Sequence, residues 1–485
     1  MVRSHPDFLK ELPPDLDGEV LRRGQMDEFF QSLSHRPVPV GRISRLLPLG
    51  ATQVKIGLGY LAYWMRSPFL SAPERKQQLT QTNLDAAVKM LHCMSYLRGS
   101  FLKLGQAIAN FPSVVPTELA DTLGRLHFEA PPMHYSLLRE HVYNELGADP
   151  EDIFAEFETT AFAAASLGQV HRARLKSGER VAVKIQYPNI ARTIHEDFKN
   201  LNALLWPVRL GEDWENFREQ MADILHVLEQ ETDYLREAQR LQKARCLFQP
   251  QEGIVIPRVF GEFTTRRILT MEYLEGQHIN AYLATNPSQV ECDQHGERIA
   301  RSAFRLMNLG RMCYGDPHPG NYLFLPDGRL GMIDFGCCRD LSDEEFDYMV
   351  EMEVSCKNSP EKLKGALLKS VGCGPNEELD PDLSKMLQKY IDWVWEPLRA
   401  EGTFDFGNEQ YLQRGMEILM EIIGKRYTRS QPVNNWLNRN FLGIRSMALR
   451  LKARVNMRQI EEEEAPSLGL KTRKLGAIEG MRDEG

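Results

Sequence analysis

Four short segments of the chain carry residue types that bind phosphate and metal, and they follow one another in a fixed order. The run GDPHPGNYLFLPDGRLGMIDFG sets Asp316 and Asn321 five residues apart and ends on Asp334-Phe335-Gly336. Pro326-Asp327-Gly328 supplies hairpin turn chemistry, so YLFL and RLGMID are expected to pair and to bring Asp334 back beside Asn321. A carboxylate and an amide oxygen then converge on one point, the donors that Mg²⁺ takes alongside nucleotide phosphates and water. Val181-Ala182-Val183-Lys184 places an ammonium inside an apolar strand, where it needs an anionic partner because an unpaired buried charge is costly. Upstream, Ala163-Ala164-Ala165-Ser166-Leu167-Gly168-Gln169-Val170 has the spacing of a glycine-rich nucleotide loop, with alanine at the first two glycine positions. Alanine lets a backbone approach a phosphate but disfavours positive φ, so this loop is expected to be stiffer, with a shifted nucleotide preference.

Singly, each segment has a plain alternative: a small-residue packing stretch, a strand lysine snorkelling to solvent, a chance Asp-Phe-Gly. Together, in this order, they read as a protein-kinase-like nucleotide site. Lys184 would meet phosphates, Asp316 would orient or deprotonate the attacking group, and Asn321 and Asp334 would hold the metal. RRILTMEYLEG reads as the strand into a hinge, with Met271 as gatekeeper and the backbone of Glu272, Tyr273 and Leu274 facing adenine; an ordinary buried strand and turn is the alternative.

The elements that must position these residues follow from pattern. QVHRARL and RVAVKIQ, joined by KSGE, predict one hairpin, and IVIPRVFGEF with RRILTMEYL predict a second strand pair. Helix is expected to about Leu146, from Asn216 to Phe248, and from Leu341 to about Arg458, with Glu461 to Glu464 opening a solvated tail. The 485 residues suffice for a bilobed globule, and 42% hydrophobic with 26% charged residues exclude a disordered or collagenous chain. A net charge of −8 gives no global positive field, so no nucleic-acid partner is expected. Eight scattered cysteines without Cys-x-x-Cys, and a start without a signal peptide, point to a reduced cytoplasmic setting, and the Cys337-Cys338 pair reads as structural. Leu46 to Met65 is the most apolar stretch, but Lys55, Gln53, Pro48 and three glycines argue against a span. Flanking arginines and the Tyr60, Tyr63 and Trp64 cluster suit a peripheral membrane contact, and a helix packed on its own protein is the alternative.

The chain resembles the UbiB family of atypical kinase-like proteins, also called the aarF-domain or ADCK family, over roughly Val38 to Asn456. The resemblance rests on Lys103-Leu104-Gly105-Gln106, matching the family's K-x-G-Q signature, on AAASLGQVH, and on Glu231-Thr232-Asp233-Tyr234-Leu235-Arg236-Glu237-Ala238, matching its E-x-D motif and continuation. Leu97, Phe101, Leu104 and Ile108 share one helical face, with Lys103, Gln106 and Asn110 opposite. The resemblance implies that this polar face turns into the cleft and occludes it, Lys103 pairing with Glu231. It also implies that Glu237 pairs with Lys184, and Asp233, four residues earlier, is expected on the same helix face near the phosphates. Asp316 lacks the usual His-Arg prefix, and its loop carries Pro317, His318 and Pro319, which speaks against transfer to a protein hydroxyl.

The fold expected is α+β and bilobed: a small β-rich N-lobe at 151–276 and a mainly helical C-lobe at 277–456. Family-specific helices precede it, as an extension at 1–75 and a K-x-G-Q segment at 76–150, and a charged tail fills 457–485. The resemblance implies ATP or ADP with Mg²⁺, and ATPase or small-molecule or lipid phosphotransfer supporting ubiquinone, other isoprenoid-quinone or lipid metabolism. Beside nucleotide, the expected partners are isoprenoid or quinone-precursor lipid, a peripheral membrane surface, and a lipid-biosynthetic complex or a homodimer. The alternative is a catalytically silent scaffold that binds nucleotide without turnover. A true protein kinase ranks last, since CCRDLSDEEFDYM follows Asp334-Phe335-Gly336 with no Ala-Pro-Glu motif.

Overall fold

A computed structural model describes residues 135–188 except Ser166, 228–358, 380–424 and 431–464, with scattered positions in 55–82, 190–198 and 222–226 and at 370. Lys103, Gly105, Gln106 and Ser166 lie outside the described residues. Among the described residues the chain divides into two compact units, one made by those up to Leu138, Thr159–Val170 and Gln186–Thr232, the other by Arg139–Glu158, His171–Ile185 and those from Asp233 onward.

Helix α1 (Tyr135–Leu146) leads towards a five-stranded sheet built from β1 (Phe154–Phe157), β2 (Ala163–Ala165), β3 (Gly168–Leu175), β4 (Arg180–Gln186) and, later in the chain, Ile268–Glu272. The order is β1, β3, β4 and the late strand, with β2 also paired to β3. Within β3 buried and part-exposed positions alternate over most of its length, as a half-buried strand requires, whereas β4 is buried on both faces from Val181 to Gln186. Lys184 therefore enters the core with its apolar neighbours.

Helix α2 (Tyr234–Arg245) is followed by β5 (Ile254–Val255), β6 (Ile268–Glu272), α3 (Ile279–Ala284) and α4 (Gln289–Asn308). The expected strand pair over 254–275 forms differently. Pro257 offers no N–H and ends the strand early, so β5 pairs in parallel with Leu330–Met332 while β6 joins β4. The Val259–Met271 bridge, the Phe260 N–H on the Thr270 carbonyl and the Glu272 N–H on the Arg258 carbonyl still tie the two segments together. Next come β7 (Met312–Tyr314), β8 (Tyr322–Phe324), β9 (Leu330–Met332) and β10 (Cys338–Asp340). The β8–β9 hairpin forms as its turn chemistry demands, with Gly328 at φ 80°, and β10 pairs antiparallel with β7.

The rest is mostly helical: α5 (Asp343–Asn358), α6 (Pro381–Arg399), α7 (Glu409–Gly424) and α8 (Pro432–Leu451), interrupted by a short ribbon of β11 (Phe404–Asp405) and β12 (Arg454–Val455). The acidic run expected in a solvated tail instead closes α9 (Met457–Glu464). Glu464 accepts from Arg305 at 2.6 Å and Arg301 at 2.8 Å, and Arg305 also reaches Glu252 at 2.6 Å. Glu464 is buried, and its pairing with Arg301 and Arg305 anchors the helix to α4.

On α4, His295 is buried between Tyr282, edge-on at 5.1 Å, and Phe324 at 4.7 Å, and its Nδ1 has no partner among the described residues. Burial, reinforced by the Arg298 charge, lowers its pKa from 6.5 to about 4. The native state thus keeps the ring neutral, so its contribution to stability is complete above pH 6.5 and is lost as pH falls towards 4. Chemical denaturation across that window should show His295→Leu losing less stability than wild type, by roughly 3 kcal/mol at full protonation.

Candidate active site

The centre of the site is the Lys184 ammonium. Its Nζ lies 2.9 Å from each carboxylate oxygen of Glu237 and 3.1 Å from Oδ2 of Asp334, and it sits over the Tyr234 ring at 5.0 Å from the centroid. Lys184 and Glu237 are buried, and Asp334 is about one-third exposed. Burial alone would lower the lysine pKa, but the charges of Asp334 and Glu237 outweigh it and hold the value well above the ordinary one. Burial also pushes the Glu237 carboxyl up to about 7 against the pull of the ammonium. Two carboxylates share one cation, and the surplus acceptor is the more exposed one, Asp334.

Helix α2 delivers Glu237 with the Tyr234 ring three residues earlier, on the same face. The helix expected to run unbroken through this segment stops at Thr232. Asp233 caps α2, its side chain accepting the Leu235 N–H at 3.1 Å and lying 3.8 Å from Arg266. Asp233 is therefore not on the Glu237 face; capping takes the side chain back along the helix entry. Glu231 is buried in the preceding turn, and its expected partner Lys103 lies outside the described residues.

The Asp334 turn is fixed from several sides. Asp334 Oδ1 accepts the Gly336 N–H at 2.9 Å, and its carbonyl accepts the Tyr314 hydroxyl at 2.8 Å. Phe335 is fully buried edge-on to Tyr314, ring centroids 5.4 Å apart. Asn321 stands where the β8–β9 pairing was expected to put it, its carbonyl accepting the Ile333 N–H at 3.1 Å. The Asn321 amide nitrogen donates to the Asp316 carbonyl at 2.7 Å, which orients the amide and leaves its oxygen as the atom suited to a cation.

Asp316 follows β7, and two glycine contacts with α8 hold its loop. A Cβ on Gly315 would overlap the Trp436 ring, and a Cβ on Gly443 would overlap the Pro317 ring. Trp436 and Gly443 are seven apart and so share one face of α8, gripping the residues on either side of Asp316. Sequence reasoning missed this grip, as it missed Tyr234; the one available signal was a glycine two turns after a tryptophan inside a helix.

In the hinge strand, Met271 is buried and pairs with Ala182. The Glu272 N–H donates to the Arg258 carbonyl at 2.8 Å and the Tyr273 N–H to the Arg180 carbonyl at 3.0 Å. Of the three expected hinge residues, Leu274 keeps an N–H without a partner among the described residues. The other nucleotide-loop candidates form a tight hairpin: Ala163 pairs with Val170, Ala164 with Gln169 and Ala165 with Gly168. None of these alanines, nor Gly168, has positive φ, so alanine fits the backbone there without strain.

Among the described residues no group of three or more His, Cys, Asp or Glu side chains is arranged for a metal. An ion at this site would draw on Asp334 and Asn321, both hard oxygen donors, and on the ligand's own phosphates. Gly443→Ala should shift the Asp316 loop; denaturant unfolding should show a loss of about 1–3 kcal/mol, as overpacking a closed contact costs.

A family profile described as the ABC1 atypical kinase-like domain matches residues 125–363. Atypical kinase COQ8, mitochondrial, from Saccharomyces cerevisiae is 30% identical over 456 residues, covering 92% of this chain and 89% of that protein. Atypical kinase COQ8B, mitochondrial, from Rattus norvegicus is 29% identical over 91% of this chain and 84% of that protein. A Mycobacterium tuberculosis protein, Rv3197, solved with erythromycin, superposes with a TM-score of 0.54 at 24% identity, covering 81% of this chain and 98% of its own, a likeness of fold. The expected kinase-like α+β fold is thus the one observed, and the chain belongs to the ABC1 atypical kinase-like family, known also as UbiB or ADCK.

Proposed function

We propose that the protein binds ATP or ADP with Mg²⁺ and uses the site for ATP hydrolysis or phosphoryl transfer to a small molecule or lipid. The observation that carries this reading is the Lys184 ammonium held between Glu237 and Asp334, with Asn321 oriented by the Asp316 backbone. Lys184 would bind phosphate oxygens, Glu237 keeping it charged and aimed. Asp334 and Asn321 would hold Mg²⁺, which when bound would neutralise charge on the phosphates. The Leu274 N–H is the donor suited to an adenine edge, and the Asp316 carboxylate would orient the attacking hydroxyl or water. The family resemblance adds the metabolic setting, ubiquinone or another isoprenoid quinone.

Lys184 is expected to serve nucleotide even where no turnover follows, and the Asp316 loop supports that second reading. The loop carries Pro317, His318 and Pro319 instead of a basic residue, which suits a scaffold that binds nucleotide and assembles a lipid-biosynthetic complex. Turnover with and without quinone-precursor mimics separates the two. For binding itself, MgATP or MgADP should raise the melting temperature of wild type, and Asp334→Asn should lose the magnesium-dependent part of the shift. No shift with either nucleotide would sink the reading.

A membrane surface is the partner we favour for the N-terminal segment. Leu58, Leu61, Trp64 and Met65 are exposed, and Leu58, Leu61 and Met65 fall on one helical face with Trp64 at its edge and Lys55 and Arg66 on the flank. No helix among the described residues is long and apolar enough to cross a membrane. Flotation with anionic vesicles should carry the wild-type protein upward and leave Trp64→Glu largely at the bottom.

A further inference from the structure

Arg240 lies on α2, three residues beyond Glu237, with its side chain almost fully buried. Its Nη1 donates to the Gly336 carbonyl at 3.1 Å, and its Nη2 lies 3.2 Å from Oδ2 of Asp340. Burying a guanidinium is costly unless its donors are used, and here they grip the metal-binding turn itself. Gly336 is the residue whose N–H fixes Asp334 Oδ1, so its two backbone polar groups face in two directions: one to the carboxylate, one to Arg240. A Cβ on Gly336 would stand 3.3 Å from Asp334 Oδ1 and 3.5 Å from Glu237 Oε2, so the turn sits tightly between the two carboxylates. Asp340 extends the grip, because it ends β10, which pairs with β7, and β7 supplies the Tyr314 hydroxyl that holds the Asp334 carbonyl.

We propose that Arg240 is a positioning residue for the metal ligand: it ties the Asp334-Phe335-Gly336 turn to α2, so that the lysine-holding glutamate and the metal-holding aspartate form one rigid bracket. The inference rests on the reading of Asp334 as the Mg²⁺ ligand and adds to it the group that sets the ligand's orientation. In this bracket α2 acts at two points one turn apart: Glu237 on the ammonium and Arg240 on the turn. Loss of Arg240 leaves the Lys184–Glu237 pair in place but frees Gly336, and with it the fixed orientation of Asp334 Oδ1. The defect should therefore fall on magnesium and spare the part of nucleotide binding that needs no metal.

The test is a Mg²⁺ titration of the ADP-induced thermal shift in the full chain, alongside the ADP shift in excess EDTA, for wild type, Arg240→Met, Arg240→Lys and Asp340→Asn. Arg240→Met should raise the half-maximal Mg²⁺ concentration about tenfold, as loss of a hydrogen bond from a charged donor implies, with the EDTA shift unchanged. Arg240→Lys should recover part of the loss, and Asp340→Asn should move the midpoint the same way by a smaller factor. A folded Arg240→Met with the wild-type midpoint overturns the proposal, and so does an equal weakening with and without Mg²⁺, which marks a merely structural role. If Arg240→Met does not fold, Asp340→Asn decides, since it alters an exposed carboxylate: a raised midpoint upholds the proposal and an unchanged one overturns it. A wild-type shift that ignores Mg²⁺ instead overturns the metal reading beneath the proposal, a result distinct from any change between variants.

Discussion

A buried ammonium shared by two carboxylates is the interaction around which the described structure is arranged. An isolated charge in the interior costs several kcal/mol even after relaxation, so Lys184 can occupy a central strand only where anions meet it. Glu237 meets it with both oxygens at 2.9 Å, which requires α2 to lie over the sheet with its first turn at the lysine. Asp334 meets it at 3.1 Å, which requires the β8–β9 hairpin to end at the same place. The capping of α2 by Asp233 and the bond from the Tyr234 N–H to the Arg266 carbonyl fix where that helix begins. Helix start, strand order and hairpin register are thus three conditions on one charge.

The Asp316 loop obeys a different constraint, steric where the first is electrostatic. Gly315 and Gly443 have no side chain at the points where the loop and α8 meet, and Trp436 and Pro317 fill the space so created. A glycine inside a helix costs about 1 kcal/mol relative to alanine, and here that cost permits a contact no larger residue would allow. Rigidity of the loop on α8 and rigidity of the Asp334 turn on α2 come from opposite ends of the chain's order. Asn321 couples them, its amide nitrogen on the Asp316 carbonyl and its backbone carbonyl on Ile333, next to Asp334.

What was legible in the sequence was local chemistry with strong geometry. Pro326-Asp327-Gly328 forces a reversal, and the flanking apolar residues fix its register, so the approach of Asn321 to Asp334 could be read from one segment. Lys184 stood out because an apolar strand must explain a charge, and its partner Glu237 came from the family motif and not from spacing. What was not legible depended on distant neighbours. The short strand Ile254–Val255 has no pattern that reveals a parallel partner seventy-odd residues later in the chain. Asp233 could serve a helix face or a cap, and its tie to the loop at Arg266 comes from outside the segment. The acidic run of α9 reads as solvated until Arg301 and Arg305, on a helix far back in the chain, are placed beside it.

The distribution of charge at the site also bears on how it could take a ligand. Glu237 engages Lys184 with both oxygens in full burial, so that pair is satisfied before any ligand arrives. Asp334 has one oxygen fixed by the Gly336 N–H and the other on Lys184, and it is the member of the trio that faces solvent. An incoming polyphosphate accompanied by a cation brings charges of both signs. The cation would compete with the ammonium for Asp334 Oδ2, and the phosphate would replace what the ammonium gives up, while Glu237 keeps its grip. A magnesium-bound nucleotide would carry less net negative charge than the bare one and so meet less repulsion from the two carboxylates. Bare nucleotide, by contrast, would bring its full phosphate charge up to Asp334, a carboxylate already paired with the Lys184 ammonium. On the function proposed above, electrostatics would favour nucleotide with metal over nucleotide without it.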